Sequence, residues 1–331
     1  MTAKKILIAY DGSSCAEAAL DDLQRAGLPA ECEVLVLTVT EFWLPAPLPS
    51  GYEIFEACAL QASADLSPFA NDSPALAEAK SMAEAAAKRL RSSFPTWVVN
   101  AEARVGSPSR EVIAKADEWN PDLIVIGSHG RSALGRIILG SVSQSVLTHA
   151  HCSVRVARGR VEEPNTPVRI LVGVDGSPAS AAAIREVGMR AWPQLSEIRV
   201  IAVSAPLAAT FAGSLMPPVG RIVQMSNDTE REWLSSIVQD AVGVLEPSGL
   251  KVSTEVREGD PKHELVEAAE AWSADCLFVG SVGFSNRFER FLLGSVSAAV
   301  TARAHCSVEV VRPPKSIGGI NHDPQFEYSR N

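Results

Sequence analysis

The sequence predicts an α/β chain of two tandem doubly wound domains. Each is a five-stranded parallel sheet in the order 3-2-1-4-5, with helices on both faces. Three observations predict this. Strand-like apolar runs alternate with helix-like segments along both halves. The second half repeats the first: ILIAYDGS from Ile6 to Ser13 returns as ILVGVDGS from Ile170 to Ser177, an offset of 164. A glycine-rich phrase follows the fourth strand-like run of each half. It reads IVIGSHGRSALGRIILGSVS from Ile124 to Ser143, and LFVGSVGFSNRFERFLLGSVS from Leu277 to Ser297.

Lys5–Tyr10 is a short β-branched and apolar run, the first strand. Ser13-Ser14 offers an N-cap to the first helix, Leu20 and Leu23 share one face, and Gly27 closes it. Cys32–Thr40 is nearly all apolar after Glu33, as suits a central strand buried on both faces. Ser73-Pro74 opens a long Ala-rich helix, and Thr96–Val105 follows as a strand. Ser107-Pro108 starts another helix with Pro in the first turn, where no N–H is needed, and Asp260-Pro261 repeats this in the second half. Leu123–Ile126 is the fourth strand, Ser141–Ala150 a helix and Ser153–Ala157 the fifth strand.

The repeat offset drops to 153 at Gly106 and Gly259, and is 154 at His151 and His305. The first copy therefore has 11 more residues between strands 2 and 3, and the second has one more inside its glycine loop. This places domain 1 at 1–160, a linker at 161–167, domain 2 at 168–312 and a polar, disordered tail at 313–331. The segment 43–73, with Pro45, Pro47, Pro49 and Gly51, reads as an irregular insertion: a lid, a partner surface or a plain surface loop.

Composition narrows the function classes. The chain is 46% hydrophobic and 21% charged. It has no apolar run of the roughly 18 residues that a spanning helix needs, so no membrane role is expected. The net charge is −9, with no basic stretch to bind nucleic acid. The opening MTAKKILIAYDG runs straight into a strand with no signal-peptide core, so a cytoplasmic location is expected. Six cysteines include no C-x-x-C pair. The dipeptides His151-Cys152 and His305-Cys306 read as the start of the last strand, each thiol a small buried hydrophobe rather than a metal ligand.

The order 3-2-1-4-5 reverses between strands 1 and 4, so a ligand crevice lies beyond their C-terminal ends. Asp11 and Gly127 border it in domain 1, Asp175 and Gly280 in domain 2. Gly127, Gly130 and Gly140-Ser141 form the pattern G-x2-G-x9-G-S. Such glycines let a backbone approach a ligand, and the helix starting at Gly140-Ser141 aims free N–H groups at an anion. A phosphate-bearing ligand, a nucleotide, is expected. The bland alternative is that Asp-Gly-Ser only caps the first helix. No Gly-Lys dipeptide occurs for a Walker A loop, and the first turn, DGSS or DGSP, is not G-x-G-x-x-G. Neither a G-x-S-x-G elbow nor an H-E-x-x-H pair is present.

These features together resemble the universal stress protein family: strand-Asp-Gly-Ser, a G-x-P helix start, and G-x2-G-x9-G-[ST] before a V-S-x-x-V helix. The resemblance covers residues 3–158 and 168–312. It implies adenine-nucleotide-binding domains holding ATP, with or without Mg, in many members without rapid turnover. It places Asp11 at the ribose and metal-phosphate region, and Val39 as a backbone partner of adenine. Ile126, Gly127, His129 and Gly130 line sugar and phosphates, and Gly140, Ser141 and Val142 cradle the phosphates. The second set is Asp175, Val203, Val279, Gly280, Val282, Gly283, Gly294, Ser295 and Val296. There Gly283 and Gly294 are ten residues apart instead of nine, and Val282 replaces the polar His129. Both departures imply weaker binding in domain 2. Members pair through the fifth strand, so Ser153–Ala157 and Ser307–Val311 are expected to pair within the chain, which also covers an apolar edge; a homodimer is a further possibility. The implied function is ATP-dependent regulation in a stress response. A slow metal-dependent ATP hydrolase stays open as the alternative, with no catalytic residue or metal ligand assigned.

Overall fold

A computed structural model describes residues 3–41, 74–129, 139–158, 166–205, 217–282 and 293–313. Gly130, Gly283, the whole 43–73 insertion, nearly all of the tail and most of the linker lie outside the described residues.

Domain 1 runs β1 (Lys4–Ala9), α1 (Ser14–Asp22), β2 (Cys32–Thr40), α2 (Pro74–Ser93), β3 (Val98–Val105), α3 (Pro108–Trp119), β4 (Leu123–Gly127), α4 (Ser141–His149) and β5 (Ser153–Ala157). Domain 2 repeats it as β6 (Arg169–Val174), α5 (Pro178–Gly188), β7 (Glu197–Ser204), α6 (Pro217–Leu245), β8 (Lys251–Glu258), α7 (Pro261–Ala271), β9 (Cys276–Gly280), α8 (Ser295–Arg303) and β10 (Ser307–Val311). All ten strands form one sheet in the order β3-β2-β1-β4-β5-β10-β9-β6-β7-β8. Each half has the expected order 3-2-1-4-5, with parallel pairing inside it. At the centre β5 and β10 run antiparallel, with Arg155 directly opposite Glu309.

Local chemistry sets the element boundaries. The Ser13 hydroxyl accepts the Ala16 N–H at 3.1 Å and starts α1, and Ser177 does the same for α5 with Ser180. After Asp22 the helix tightens into a 3₁₀ turn, Leu23–Arg25, and Gly27 at φ 63° turns the chain toward β2. Ser107 occupies the N-cap of α3 as expected, yet its side chain makes no capping bond. Asp260 does cap α7, accepting from the Lys262 N–H at 3.0 Å. Asn120 ends α3 in the left-handed region at φ 50°.

The two faces of the sheet are packed differently. On one face α3, α4, α7 and α8 cover a single apolar core that crosses the seam through Val154, Val156, Val308 and Val310. On the other face α1 and α2 cover one core, and α5 and α6 another. Between those two cores the sheet carries buried charge, with Arg155 and Glu309 almost fully enclosed. Among the described residues no helix is long and apolar enough to cross a membrane.

Candidate functional site

The crevice is built where β1 stops short. The last β1–β2 pair is Ala9 with Leu37, so β2 overhangs β1 by Thr38, Val39 and Thr40. The Leu37 carbonyl accepts the Tyr10 N–H at 2.9 Å, and the Thr40 carbonyl accepts the Gly106 N–H from the β3 side at 2.9 Å. Peptide groups alternate direction along a strand. Val39 therefore faces the β1 side beyond the last pair, and its N–H and C=O point into the crevice. Domain 2 repeats this: Ser204 accepts from Gly259 at 2.9 Å, the last β6–β7 pair is Val174 with Ala202, and Val203 faces the vacated side. The side chains of Val39 and Val203 pack on the shared core, which leaves backbone for recognition.

Asp11 and Asp175 stand at the ends of β1 and β6. Each carboxylate accepts a backbone N–H two residues on, Ser13 and Ser177, at 3.0 Å, across Gly12 and Gly176 at φ 73°. Asp-Gly-Ser is thus a complete turn-and-cap unit, and both aspartates have a structural task in addition to their place at the crevice. Ser13 Oγ also lies 3.4 Å from the His129 carbonyl, tying the turn to the start of the glycine loop.

Gly127 and Gly280 are glycines for a reason the sequence concealed. A Cβ at Gly127 would sit 2.8 Å from the Cys15 carbonyl carbon and oxygen, and one at Gly280 would sit 2.7 Å from the Ser180 N. These positions let the first turn of α1 or α5 lie directly on the strand end, so close helix packing, not ligand approach, accounts for them. Ile126 and Val279 likewise put their side chains into the core. They can offer only backbone to a ligand.

Gly140 and Gly294 are the N-caps of α4 and α8, and neither helix has a side-chain capping bond. Their φ values, −63° and −65°, are open to any residue. At Gly294 a Cβ would come within 3.1 Å of the Ser281 carbonyl, so the neighbouring backbone would have to give by a few tenths of an ångström. An α-helix leaves its first N–H groups without internal partners, and its dipole makes that end positive. The Gly140 N–H donates to Ser128 O at 2.8 Å, and the Gly294 N–H to Ser281 O at 2.7 Å. The added residue of the second loop therefore leaves both flanks closed in the same way, with no shift of Gly294 relative to Ser295. The residues between, 283–292, lie outside the described residues. Asp11, Val39, Gly127 and His129 lie at the C-terminal ends of the adjacent strands β1, β2 and β4, and the Gly140–Ser128 bond brings the start of α4 to the same end. Asp175, Val203, Gly280 and Val282, with the Gly294-Ser295-Val296 start of α8, repeat this arrangement in domain 2.

The twins differ chemically. His129 is half-buried, with Nδ1 3.0 Å from Ser128 Oγ, whereas Val282 has no donor. In domain 2, α6 lays Trp233 and Ile237 over the Gly176 turn, where a Cβ would meet them at 3.0 and 2.7 Å. Ser204 Oγ donates to the Glu230 carboxylate at 2.9 Å, which sets an anion at the rim. Sequence reading missed Trp233 and Glu230, because only the phase of a long helix decides which of its side chains reach the crevice.

The His-Cys dipeptides hold no joint site. His151 and His305 turn outward to Asp117 at 3.7 Å and Glu270 at 2.8 Å. Burial pushes the Cys152 thiol up to about 11 and the Cys306 thiol to about 12. Among the described residues one group of metal-capable side chains comes together: His263, Glu264 and Glu267 on α7, with the His263 Nδ1 3.7 and 3.4 Å from the two carboxylates.

Comparison with known proteins gives the same picture. The sequence profile of the Universal stress protein family matches residues 2–158 and 168–312. A universal stress protein of Mycolicibacterium smegmatis is 33% identical over 217 residues, 65% of this chain and 69% of that one. Universal stress protein MJ0531 of Methanocaldococcus jannaschii is 33% identical over 151 residues, 44% of this chain and 83% of its own length. The crystal structure of a universal stress protein from Archaeoglobus fulgidus superposes with a TM-score of 0.55 at 21% identity, covering 94% of this chain and 99% of that one. Twice-matched by the family profile and folded as two copies of one α/β unit around paired crevices, this chain belongs to the universal stress protein family.

Proposed function

We propose that the domain 1 crevice binds an adenine nucleotide, ATP in the first instance, and that occupancy serves regulation rather than turnover. One observation carries the reading. Among the described residues nothing pairs the peptide of Val39 on its β1 side and no side chain caps the start of α4, and both lie at the same end of the sheet, one suited to a heterocycle edge and the other to phosphate. Ser141 and Val142 would hold the phosphates through backbone donors beside Gly140, whose own N–H is taken by Ser128 O, His129 would add a side-chain donor, and Asp11 would stand near the ribose and any Mg that accompanies the phosphates. Gly127 positions α1 against the crevice, and Gly130 belongs to the same loop. Domain 2 would bind more weakly, because Val282 cannot donate and Glu230 adds negative charge.

Two variants test this by calorimetric titration of the full chain. Gly140→Val puts a branched side chain where the phosphates would lie. Ser141→Asp puts a carboxylate there, while an acid in the first turn favours the helix. The melting midpoint of Ser141→Asp should hold or rise while affinity falls by at least about tenfold, the loss of roughly one charge-assisted hydrogen bond. Undiminished affinity in both variants would sink the assignment. Denaturing the purified protein and counting released nucleotide per chain tells whether one crevice or two are filled.

A further inference from the structure

The seam between the domains carries a charge pattern that a duplicated chain needs and a pair of identical subunits cannot have. We infer that Arg155 and Glu309, supported by two flanking ion pairs, select pairing of domain 1 with domain 2 of the same chain and reject pairing of either domain with its own copy.

Arg155 and Glu309 occupy equivalent positions in β5 and β10 and face one another on the local two-fold axis of the antiparallel pair. They are 1% and 0% exposed, with Arg155 Nη1 3.3 Å from Glu309 Oε2. A residue on a two-fold axis meets itself when identical surfaces pair. Domain 1 against a second domain 1 would set Arg155 against Arg155, and domain 2 against a second domain 2 would set Glu309 against Glu309. Each residue would keep the counter-charge of its own side, Asp22 or Arg190, but would exchange the opposite charge across the axis for a like one, which is unfavourable in a buried site.

The flanks repeat the logic. Domain 1 presents Lys4 to Glu186, and Arg25 to Asp275 at 3.4 Å. With Arg155 this makes three cations from domain 1 meeting three anions from domain 2. At the repeat offset of 164, the domain 2 residues equivalent to Lys4 and Arg25 are Val168 and Met189. Domain 2 paired with itself would thus leave Glu186, Asp275 and Glu309 without cross-seam cations. Domain 1 paired with itself would keep Lys4 facing Asp22 and Arg25 facing Asp122, so there the axis residue decides.

Each axis residue is also held from its own side. Asp22 grips Arg155 through Nε at 2.6 Å and Nη2 at 3.1 Å, and accepts from Ser307 Oγ across the seam at 2.6 Å. Glu309 would instead meet Glu186, the equivalent of Asp22. Arg190 resolves this conflict by contacting Glu186 at 2.8 Å and Glu309 together, while its Nη1 donates to the Ala26 carbonyl of domain 1 at 2.8 Å. The residue equivalent to Arg190 in domain 1 is Ala26 itself, so only one side of the axis supplies this arginine.

The test uses the full chain in sedimentation velocity over a wide concentration series, with thermal melting alongside. Arg155→Val/Glu309→Val replaces the axis pair with residues that suit a strand and leaves the flanking pairs intact. Its midpoint should fall, since Asp22 loses both hydrogen bonds from Arg155 and Arg190 loses Glu309, so the size distribution and not the midpoint reports on partner choice. It should also form larger species that grow with concentration beyond the wild-type profile. Glu309→Arg places two arginines on the axis, and should both lower the midpoint and drive chains into interchain species. If the double valine variant sediments as wild type at every concentration, the charges do not select the partner and the proposal is overturned. Should that variant fail to fold, an unchanged profile and midpoint for Glu309→Arg overturns it equally.

Discussion

Replacing Gly127 with alanine adds one methyl group at the crowded junction of β4 and α1. The new Cβ would stand 2.8 Å from the carbonyl carbon and oxygen of Cys15 and 3.0 Å from the N of Ala16. Carbon atoms in ordinary contact sit about 3.5–4.0 Å apart, so the gap is short by most of an ångström. All three atoms are backbone, and no rotamer change can move them. α1 must lift from the sheet, loosening Leu20 and Leu23 against Ile6 and Ile8. Overpacking of this kind costs about 1–3 kcal/mol. At about 2–4 °C per kcal/mol for 150–250 residues, the midpoint should fall by roughly 2–12 °C. The matched control is Gly243→Ala, in the last turn of α6, where an added Cβ meets nothing within 4 Å. That substitution should hold or slightly raise stability, by less than the roughly 0.5–1 kcal/mol of a mid-helix site. Thermal unfolding by circular dichroism reads both. A wild-type midpoint for Gly127→Ala would refute the argument that helix packing fixes this glycine.

Acid should weaken the domain seam. Burial opposes ionisation of Glu186, but Arg190 and Lys4 outweigh it and hold the carboxyl below its ordinary value. A carboxylate with a depressed folded pKa contributes stability above its unfolded pKa and loses it as pH falls through the folded value. The midpoint should therefore fall as pH drops below the ordinary carboxylate range, with a shallower slope in Glu186→Gln. Thiol labelling should be slow in the native state at Cys32, Cys152, Cys276 and Cys306, whose thiols burial pushes up, and fast in denaturant. Rapid native alkylation of Cys276 or Cys306, read by peptide mass spectrometry, would show that the seam opens.

The architecture was legible because it rests on repeated local signals. Cys32–Thr40 is a strand at the expected bounds, Pro74 and Pro108 open their helices, and the strand order followed from the alternation. What escaped the sequence were reasons that depend on distance. Gly127 looked like a ligand-facing glycine and is a packing glycine, because the turn of α1 that presses on it lies over a hundred residues away. Arg155 and Glu309 each sit in the middle of a short, otherwise largely apolar strand. Their importance appears only when the two strands are laid side by side, since equivalence in a repeat says nothing about which residues meet.

The joining of β5 to β10 inside one polypeptide changes the order of the association reaction. Two separate subunits sharing such a seam come apart on dilution, and their stability depends on protomer concentration. Here the second edge arrives on the same chain at a fixed effective concentration, set by the connection between the halves and not by expression level. The ten-stranded sheet should therefore persist at nanomolar dilution, with an unfolding midpoint independent of protein concentration. Both crevices also remain in strict one-to-one ratio, so one can diverge while the other keeps its chemistry, as the pairs His129/Val282 and Cys15/Ala179 show.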